Sequence, residues 1–210
     1  MTAVLGLRGR AGGQRLSGRV IAGFEPPASM RLEAVAPFGQ PGFILAAQGG
    51  TAVLLLPRES RVVRGQAAEA ILGALIGVSL APADLQAILT GCVVPNPTPT
   101  AGRLHSNGWA SITLDGGAEI YLRRTPMWEV KAARRDGWQI EYPAWQGRFP
   151  PAARLLSDAQ SVNVDLTATI SQLEANIDLD AKAFSVDVPS DARPLTIEEL
   201  RDSGPLRSQP

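Results

Sequence analysis

The side chains best suited to catalysis are few in this 210-residue chain and lie far apart. The single histidine, His105, precedes Ser106 in a polar loop, and adjacency in sequence does not orient a serine as a nucleophile. One histidine cannot form a zinc site with one distant cysteine. We therefore interpret His105 as a surface-loop residue and predict that the protein is not an enzyme.

Two aspartates, Asp178 and Asp180, are spaced so that both could help to hold a cation. No further carboxylates or glycine follow at the spacing of a calcium-binding loop. We interpret the pair as part of a turn at the end of a strand, and we predict neither a metal site nor a cofactor.

The only cysteine, Cys92, ends the tetrapeptide Leu-Thr-Gly-Cys, which superficially matches the lipidation box of a bacterial lipoprotein. Such a box ends a signal peptide, whereas this one ends a predicted helix that contains Asp84 and Gln86. We expect Gly91 to end that helix in a left-handed conformation and Cys92 to be a small buried side chain.

Two arginine pairs, Arg123-Arg124 and Arg134-Arg135, end predicted neighbouring strands. They could contact phosphates or lipid head groups, but the favoured interpretation is that alternate side chains point to opposite faces and are solvated. The four tryptophans, 109, 128, 138 and 145, suit either a core or a cavity wall.

The length of 210 residues and the 45% of hydrophobic residues suit one domain with a full core, or one domain plus a tail. The formal net charge is zero. Basic residues are in excess up to residue 135 and acidic ones after it, which is weak evidence for a nucleic-acid partner, and we exclude one. No stretch has the roughly 20 clean apolar residues of a membrane span. We predict a single domain over residues 1–203, a disordered tail at 204–210 and a monomer.

Short alternating segments separated by Gly and Pro predict antiparallel strands over most of the chain. Residues 94–101 are interpreted as a stiff connector, and residues 172–179 and 184–188 as one or two further strands. We expect a helix at residues 196–201, with Thr196 at or near its cap. The fold class is α+β: a large curved antiparallel sheet of about 11 strands, an open half barrel.

Residues 66–91 differ from the rest because they form two apolar helical segments joined by a proline turn. The apolar side chains recur at helical spacing, and Pro82 begins the second helix. A helical hairpin of this kind has to cover an apolar surface, so we predict a lid over a hydrophobic cavity.

Phe38 lies at the tip of a loop at residues 37–41, where proline and glycine favour exposure. It either folds back onto the sheet or protrudes towards a membrane or a partner.

Three segments in this order resemble the LolB family, the outer-membrane receptor that accepts lipoproteins and inserts them into the membrane. They are residues 31–45 (RLEAVAPFGQPGFIL), the helical insert at 67–91 and residues 136–156 (DGWQIEYPAWQGRFPPAARLL). LolB shares its fold with the carrier LolA. The resemblance implies an open half barrel of about eleven strands with a helical lid, an apolar cavity for acyl chains and no catalysis.

The resemblance also implies the candidate site residues. Phe38 takes the place of the protruding residue that inserts lipoproteins. The candidate acyl-chain-binding residues are Ile71, Leu75, Ile76, Leu85, Ile88, Leu89, Phe43, Leu45, Leu54 and Trp109. The implied partners are acylated lipoproteins or another lipid, a LolA-like carrier and the outer-membrane surface.

The implied location is the periplasmic face of the outer membrane, as a lipoprotein. This sequence contains no leader and no anchor cysteine, so it is either cytosolic as written or a mature, trimmed or mis-started form of an exported protein. Two alternative functions stay open: a carrier of another amphiphile or glycolipid, and a structural envelope protein with a filled core.

Overall fold

A computed structural model describes residues 1–36, 39–157 and 163–203. Fourteen β-strands in these ranges form one sheet. Their bounds are β1 Thr2–Ala11, β2 Gln14–Glu25, β3 Ser29–Val35, β4 Ile44–Gln48, β5 Thr51–Leu56, β6 Arg61–Gln66, β7 Pro99–Leu104, β8 Trp109–Leu114, β9 Glu119–Arg124, β10 Trp128–Arg135, β11 Trp138–Glu141, β12 Ala152–Ser157, β13 Val164–Glu174 and β14 Arg193–Pro194. The α-helices are α1 Ala68–Ile76, α2 Pro82–Thr90 and α3 Ile197–Ser203.

The sheet is open, with β14 and β7 at its two edges and β1 beside β13 near its centre. Strands β1 to β6 follow one another in a meander, and β7 to β13 form a second one on the other side. The pairing of Leu7 in β1 with Ala168 in β13 belongs to the ladder that joins the two halves. The predicted large, open, mainly antiparallel sheet is confirmed, and among the described strands only the short β14–β6 pair is parallel.

Most of the longer strands have one buried face, because side chains alternate across a sheet. In β3, Met30, Leu32 and Ala34 are buried, while the residues between them are partly exposed. We call the face that α1 and α2 cover the concave face and the opposite face the convex face. The main core lies between the concave face and the helices.

The two lid helices end where glycine permits a left-handed backbone. α1 ends at Ile76 and is capped by Gly77 (φ 73°), whose N–H donates to the carbonyl oxygen of Gly73. α2 begins at Pro82, ends at Thr90 and is capped by Gly91 (φ 81°). The two left-handed glycines therefore set where the helices end, and Pro82 sets where the second one begins.

The sheet has more strands than predicted, and β7 is one reason. We interpreted residues 94–101 as a connector, but β7 begins within them, at Pro99. All six residues of β7 are exposed, so the strand lacks the apolar alternation that identifies strands in a sequence. Pro99 is tolerated because it is the first residue of an edge strand.

The predicted strands at residues 172–179 and 184–188 are wrong beyond Glu174. Glu174 pairs with Thr2, the first residue of β1, so a longer β13 would have no partner on that side. Residues 175–192, which we call the strap, cross the convex face instead. Within the strap Phe184 is buried, and the Nη1 atom of Arg31 donates to the carbonyl oxygen of Ser185 at 2.9 Å.

The strap leads around the β6 edge to α3, which packs against α1. Thr196 caps α3 as predicted: its Oγ1 accepts a hydrogen bond from the N–H of Glu199, and the Glu199 carboxylate accepts one from the N–H of Thr196. Leu200 is fully buried. The predicted tail at 204–210 falls outside the described residues.

Within the described ranges, no helix combines the length and the apolar character needed to cross a membrane.

Candidate functional site

A cavity of about 70 Å³ lies between the lid helices and the concave face, and every side chain that lines it is apolar. The sheet side contributes Leu5, Leu7, Val20, Phe24, Leu32, Phe43, Leu155, Leu166 and Ala168. The lid contributes Leu72, Ile76, Val78, Leu85, Ile88 and Leu89. Such a wall offers burial and no polar recognition, so it suits hydrocarbon groups.

The structure places half of the ten predicted acyl-chain-binding residues on this wall: Phe43, Ile76, Leu85, Ile88 and Leu89. Four others are fully buried in the core and do not line the cavity: Ile71, Leu75, Leu45 and Leu54. The binding role of all these residues stays a prediction.

Trp109, the last of the ten, is not brought to the cavity. It pairs with Arg123 on the convex face, and the Arg123 guanidinium lies 5.5 Å from the centre of its ring. The ring is half-buried there, and the contact is a cation–π interaction at the surface of the sheet.

The sheet side of the cavity is largely built from residues that the sequence analysis did not single out. Leu5, Val20, Phe24 and Leu166 alternate with exposed or half-buried neighbours along their strands. That alternation was visible in the sequence and identified a buried face. It did not indicate which buried positions lie under the lid, because this depends on strand order and register.

The start of α2 is held to the sheet by Arg135 at the end of β10. Its Nη1 atom lies 2.8 Å from Oδ1 of Asp84 in the first turn of α2 and donates to the carbonyl oxygen of Val93 at 3.1 Å. Only 11% of the Arg135 side chain and 20% of the Asp84 side chain are exposed. The interpretation of Arg135 as a solvated residue is therefore wrong.

A second tie runs from Tyr142 to α2. The buried Tyr142 hydroxyl donates a hydrogen bond to the carbonyl oxygen of Ile88 at 2.9 Å. Burial raises the pKa of the Tyr142 phenol above its ordinary value. The phenol is therefore a neutral donor at physiological pH, and it is a second donor to the carbonyl oxygen of Ile88, which also accepts from the N–H of Gly91 at 3.1 Å.

Trp145 packs against the point where α2 ends. Its Nε1 atom donates to the carbonyl oxygen of Val130 at 2.7 Å, which fixes the ring. A Cβ atom at Gly91 would come within 2.4 Å of the ring atom Cη2. Gly91 is thus required for both its left-handed backbone and this close approach.

The expectation for Cys92 is wrong, because its side chain is exposed. Gly91 turns the chain as predicted, and the N–H of Cys92 donates to the carbonyl oxygen of Ala87. Val93 follows with a positive φ of 68° and is the residue that becomes fully buried.

The predicted chemistry-bearing residues do not assemble into a catalytic group. His105 Nε2 shares a hydrogen bond with Ser111 Oγ at 2.9 Å, not with Ser106, and both side chains are at the surface. Asp180 caps a short 3₁₀ helix at Ala181–Phe184. In the part of the chain that the structure describes, no three His, Cys, Asp or Glu side chains are grouped as metal ligands.

Phe38, the predicted membrane-insertion residue, lies outside the described residues, as does Pro37.

Compared with known proteins, the sequence matches no protein-family model and no curated protein. Solved structures do match. A LolA superfamily protein from Nitrosomonas europaea has a TM-score of 0.54 and 11% sequence identity, covering 88% of this chain and 89% of that one. A DUF1329 family protein from Desulfovibrio piger has a TM-score of 0.53 and 14% identity, covering 88% of each chain.

At these identities the likeness concerns the fold. It agrees with the large open sheet and few helices described above. The protein has a LolA-like fold, an open half barrel with a helical lid.

Proposed function

We propose that this protein binds the acyl chains of lipoproteins, without catalysis, and delivers lipoproteins to the outer membrane. The observation that carries the proposal is the cavity under the lid, whose wall is entirely apolar. Each methylene group that leaves water contributes about 0.8 kcal/mol. A wall of this kind can therefore hold acyl chains with no polar recognition, and a bilayer that offers the same gain can take them back.

The cavity of about 70 Å³ is the closed state of the proposed site. Pockets for small-molecule ligands usually measure about 300–1,000 Å³. An acyl chain can therefore enter only if α1 and α2 move away from the sheet. The bonds from Arg135 to Asp84 and from Tyr142 to Ile88 hold α2 in its closed position.

Within the LolA-like fold, the resemblance at residues 31–45, 67–91 and 136–156 favours a LolB-like receptor. Such a receptor would act at the periplasmic face of the outer membrane and take lipoproteins from a LolA-like carrier. The sequence after about Leu179, by contrast, resembles the longer tail of LolA-like carriers. The proposal therefore commits to acyl-chain binding and transfer, with the LolB role as its more specific form.

A carrier of another amphiphile is the second candidate, and the composition of the cavity wall favours it. Among the described residues, those that form the wall include no polar side chain that would recognise a peptide or a particular head group. The same fold can hold different ligands, so any lipid with acyl chains of suitable length fits the argument.

Mass spectrometry of lipids extracted from the purified protein separates these functions. Diacylglyceryl-modified peptides would support lipoprotein binding, whereas free phospholipids or glycolipids would support the second candidate. Repeated preparations with no lipid, together with no uptake of an apolar fluorescent probe, would contradict both. That result would favour a structural protein with a filled core.

A further inference from the structure

We propose that two adjacent hairpin tips at the β7 side of the sheet form a docking surface for an anionic phospholipid membrane. The β7–β8 and β9–β10 hairpins end side by side, because Trp109 at the start of β8 pairs with Arg123 near the end of β9. We call this surface the arm tip; its residues are Leu104, Met127, Trp128, Arg103, Arg123 and Arg124.

The apolar side chains of the arm tip are unusually exposed. Leu104 and Met127 are each 77% exposed, and Trp128 is 45% exposed. Apart from these three, only Ile21 and Val35 are exposed large hydrophobic residues in the described part of the chain. Single exposed apolar residues are ordinary, but three at neighbouring tips indicate a surface that meets an apolar partner.

The arm tip also carries positive charge that is not neutralised by a described carboxylate. Within residues 1–36, 39–157 and 163–203, the ion pairs do not include Arg103, Arg123 or Arg124. The nearby carboxylate of Glu129 is already paired, with Lys131 Nζ at 2.7 Å. Arginine beside tryptophan and exposed aliphatic groups is complementary to the head-group region of an anionic bilayer.

Both turns are held in place by hydrogen bonds. In the β9–β10 turn the N–H of Thr125 donates to the carbonyl oxygen of Met127 at 2.8 Å. In the β7–β8 turn the N–H of His105 donates to the carbonyl oxygen of Trp109 at 2.9 Å. Because the turns are already ordered, Met127 and Leu104 can be presented to a membrane with little further loss of conformational entropy.

An apolar groove leads from the arm tip along the concave face. It measures about 390 Å³, and its apolar lining includes Leu104, Ile112, Leu122 and Trp128. Docking at the arm tip would therefore bring an uncovered part of the concave face to the bilayer. This proposal rests on the proposed function for the presence of a membrane, while the contact itself does not require a bound acyl chain.

A second copy of the chain fits the arm tip less well than a membrane. Two copies joined through the exposed β7 edge would form backbone hydrogen bonds along the length of that strand. The exposed apolar side chains lie instead at the ends of the hairpins, where such a dimer would not cover them. Two arm tips facing each other would also bring arginines of like charge together.

The test is co-sedimentation of the full chain with vesicles of phosphatidylethanolamine and phosphatidylglycerol. The double variant Leu104→Glu/Met127→Glu should lose vesicle binding, whereas the control Ile21→Glu, on the convex face at 48% exposure, should keep it. Arg123→Gln/Arg124→Gln should weaken binding about fivefold for each arginine removed. The matched control Arg8→Gln/Arg10→Gln, also on exposed convex-face positions of β1, should weaken it much less.

The proposal is overturned if the unmodified protein does not bind these vesicles, or if the controls lose as much affinity as the arm-tip variants. It is also overturned if the variants abolish self-association in solution and leave vesicle binding unchanged. Uptake of an apolar fluorescent probe without vesicles, measured on the same variants, reports the cavity separately. A docking failure with normal probe uptake would thus leave the proposed function standing.

Discussion

The Nη1 atom of Arg135 lies 2.8 Å from Oδ1 of Asp84, which joins the end of β10 to the first turn of α2. The two residues are 51 positions apart in the sequence. The same guanidinium atom reaches the carbonyl oxygen of Val93, beyond the end of α2. One side chain thus holds both flanks of the helix that closes the cavity.

Asp84→Asn should make the lid easier to open. Loss of the carboxylate weakens the tie to Arg135, so an apolar fluorescent probe should associate faster in stopped-flow measurements. The free energy of unfolding should fall by about 1 kcal/mol. The control Asp136→Asn removes the 68%-exposed second carboxylate on the same guanidinium and should leave the association rate unchanged. Equal association rates for Asp84→Asn and the unmodified protein would contradict a gating role for this pair.

Tyr142→Phe should destabilise the protein by about 1 kcal/mol, because the buried hydrogen bond from its hydroxyl is lost and the carbonyl oxygen of Ile88 keeps only the N–H of Gly91 as a donor, at 3.1 Å. Urea unfolding measures this loss. A variant as stable as the original would mean that water replaces the hydroxyl.

The same phenol makes stability depend on pH in the alkaline range. Its folded-state pKa is raised by burial above the ordinary value of 10.0. Its contribution is therefore fully present below about pH 10 and is lost as pH rises towards the folded-state pKa. The free energy of unfolding should decrease above pH 10 less steeply in Tyr142→Phe than in the original protein. An equally steep decrease would assign the effect to other groups, for example Tyr121, whose pKa is also raised, mainly by its hydrogen bond with Glu119.

Gly91→Ala should be more destabilising than an alanine at another left-handed glycine. The backbone alone costs about 1–2 kcal/mol, and the new methyl group would collide with Trp145. Gly137→Ala is the control, because Gly137 has φ 78° and open space around the position of a Cβ. Thermal unfolding of both variants isolates the contribution of the Trp145 contact. Equal losses would show that the ring moves aside freely.

Ala168→Leu should fill the cavity and weaken uptake of an apolar probe, because Ala168 lies on the cavity wall. The variant should stay folded, since the added carbons enter empty space. Ala132→Leu, on the polar convex face, adds the same carbons elsewhere. Equal probe affinity in the two variants would contradict binding at this cavity.

Local pattern was sufficient for most of the fold. Alternation and turn residues predicted the strands from β1 to β6 and from β8 to β13, and Pro82 and Gly91 marked the limits of α2. The strand β7 was missed because an exposed edge strand has no buried face to leave a pattern. The path of the strap was missed because it depends on where β13 ends. That point is set by Thr2, the first residue of β1, which pairs with Glu174.

The site was predicted less completely than the fold. The family resemblance at the apolar helices supplied Ile76, Leu85, Ile88 and Leu89, which the structure places on the cavity wall. Long-range polar ties such as Tyr142 to Ile88, 54 residues apart, leave no local signal. Trp109 was predicted to line the cavity, but strand register places it on the face away from the cavity. A large apolar residue type alone therefore does not identify a cavity residue.

The most direct test of acyl-chain binding is displacement of a bound apolar fluorescent probe by a triacylated lipoprotein peptide, with its unacylated twin as control. The account predicts displacement by the acylated peptide alone, because only acyl chains match the apolar wall of the cavity. Failure of the probe to bind, or equal displacement by both peptides, would contradict it and would mean that the lid covers an ordinary core.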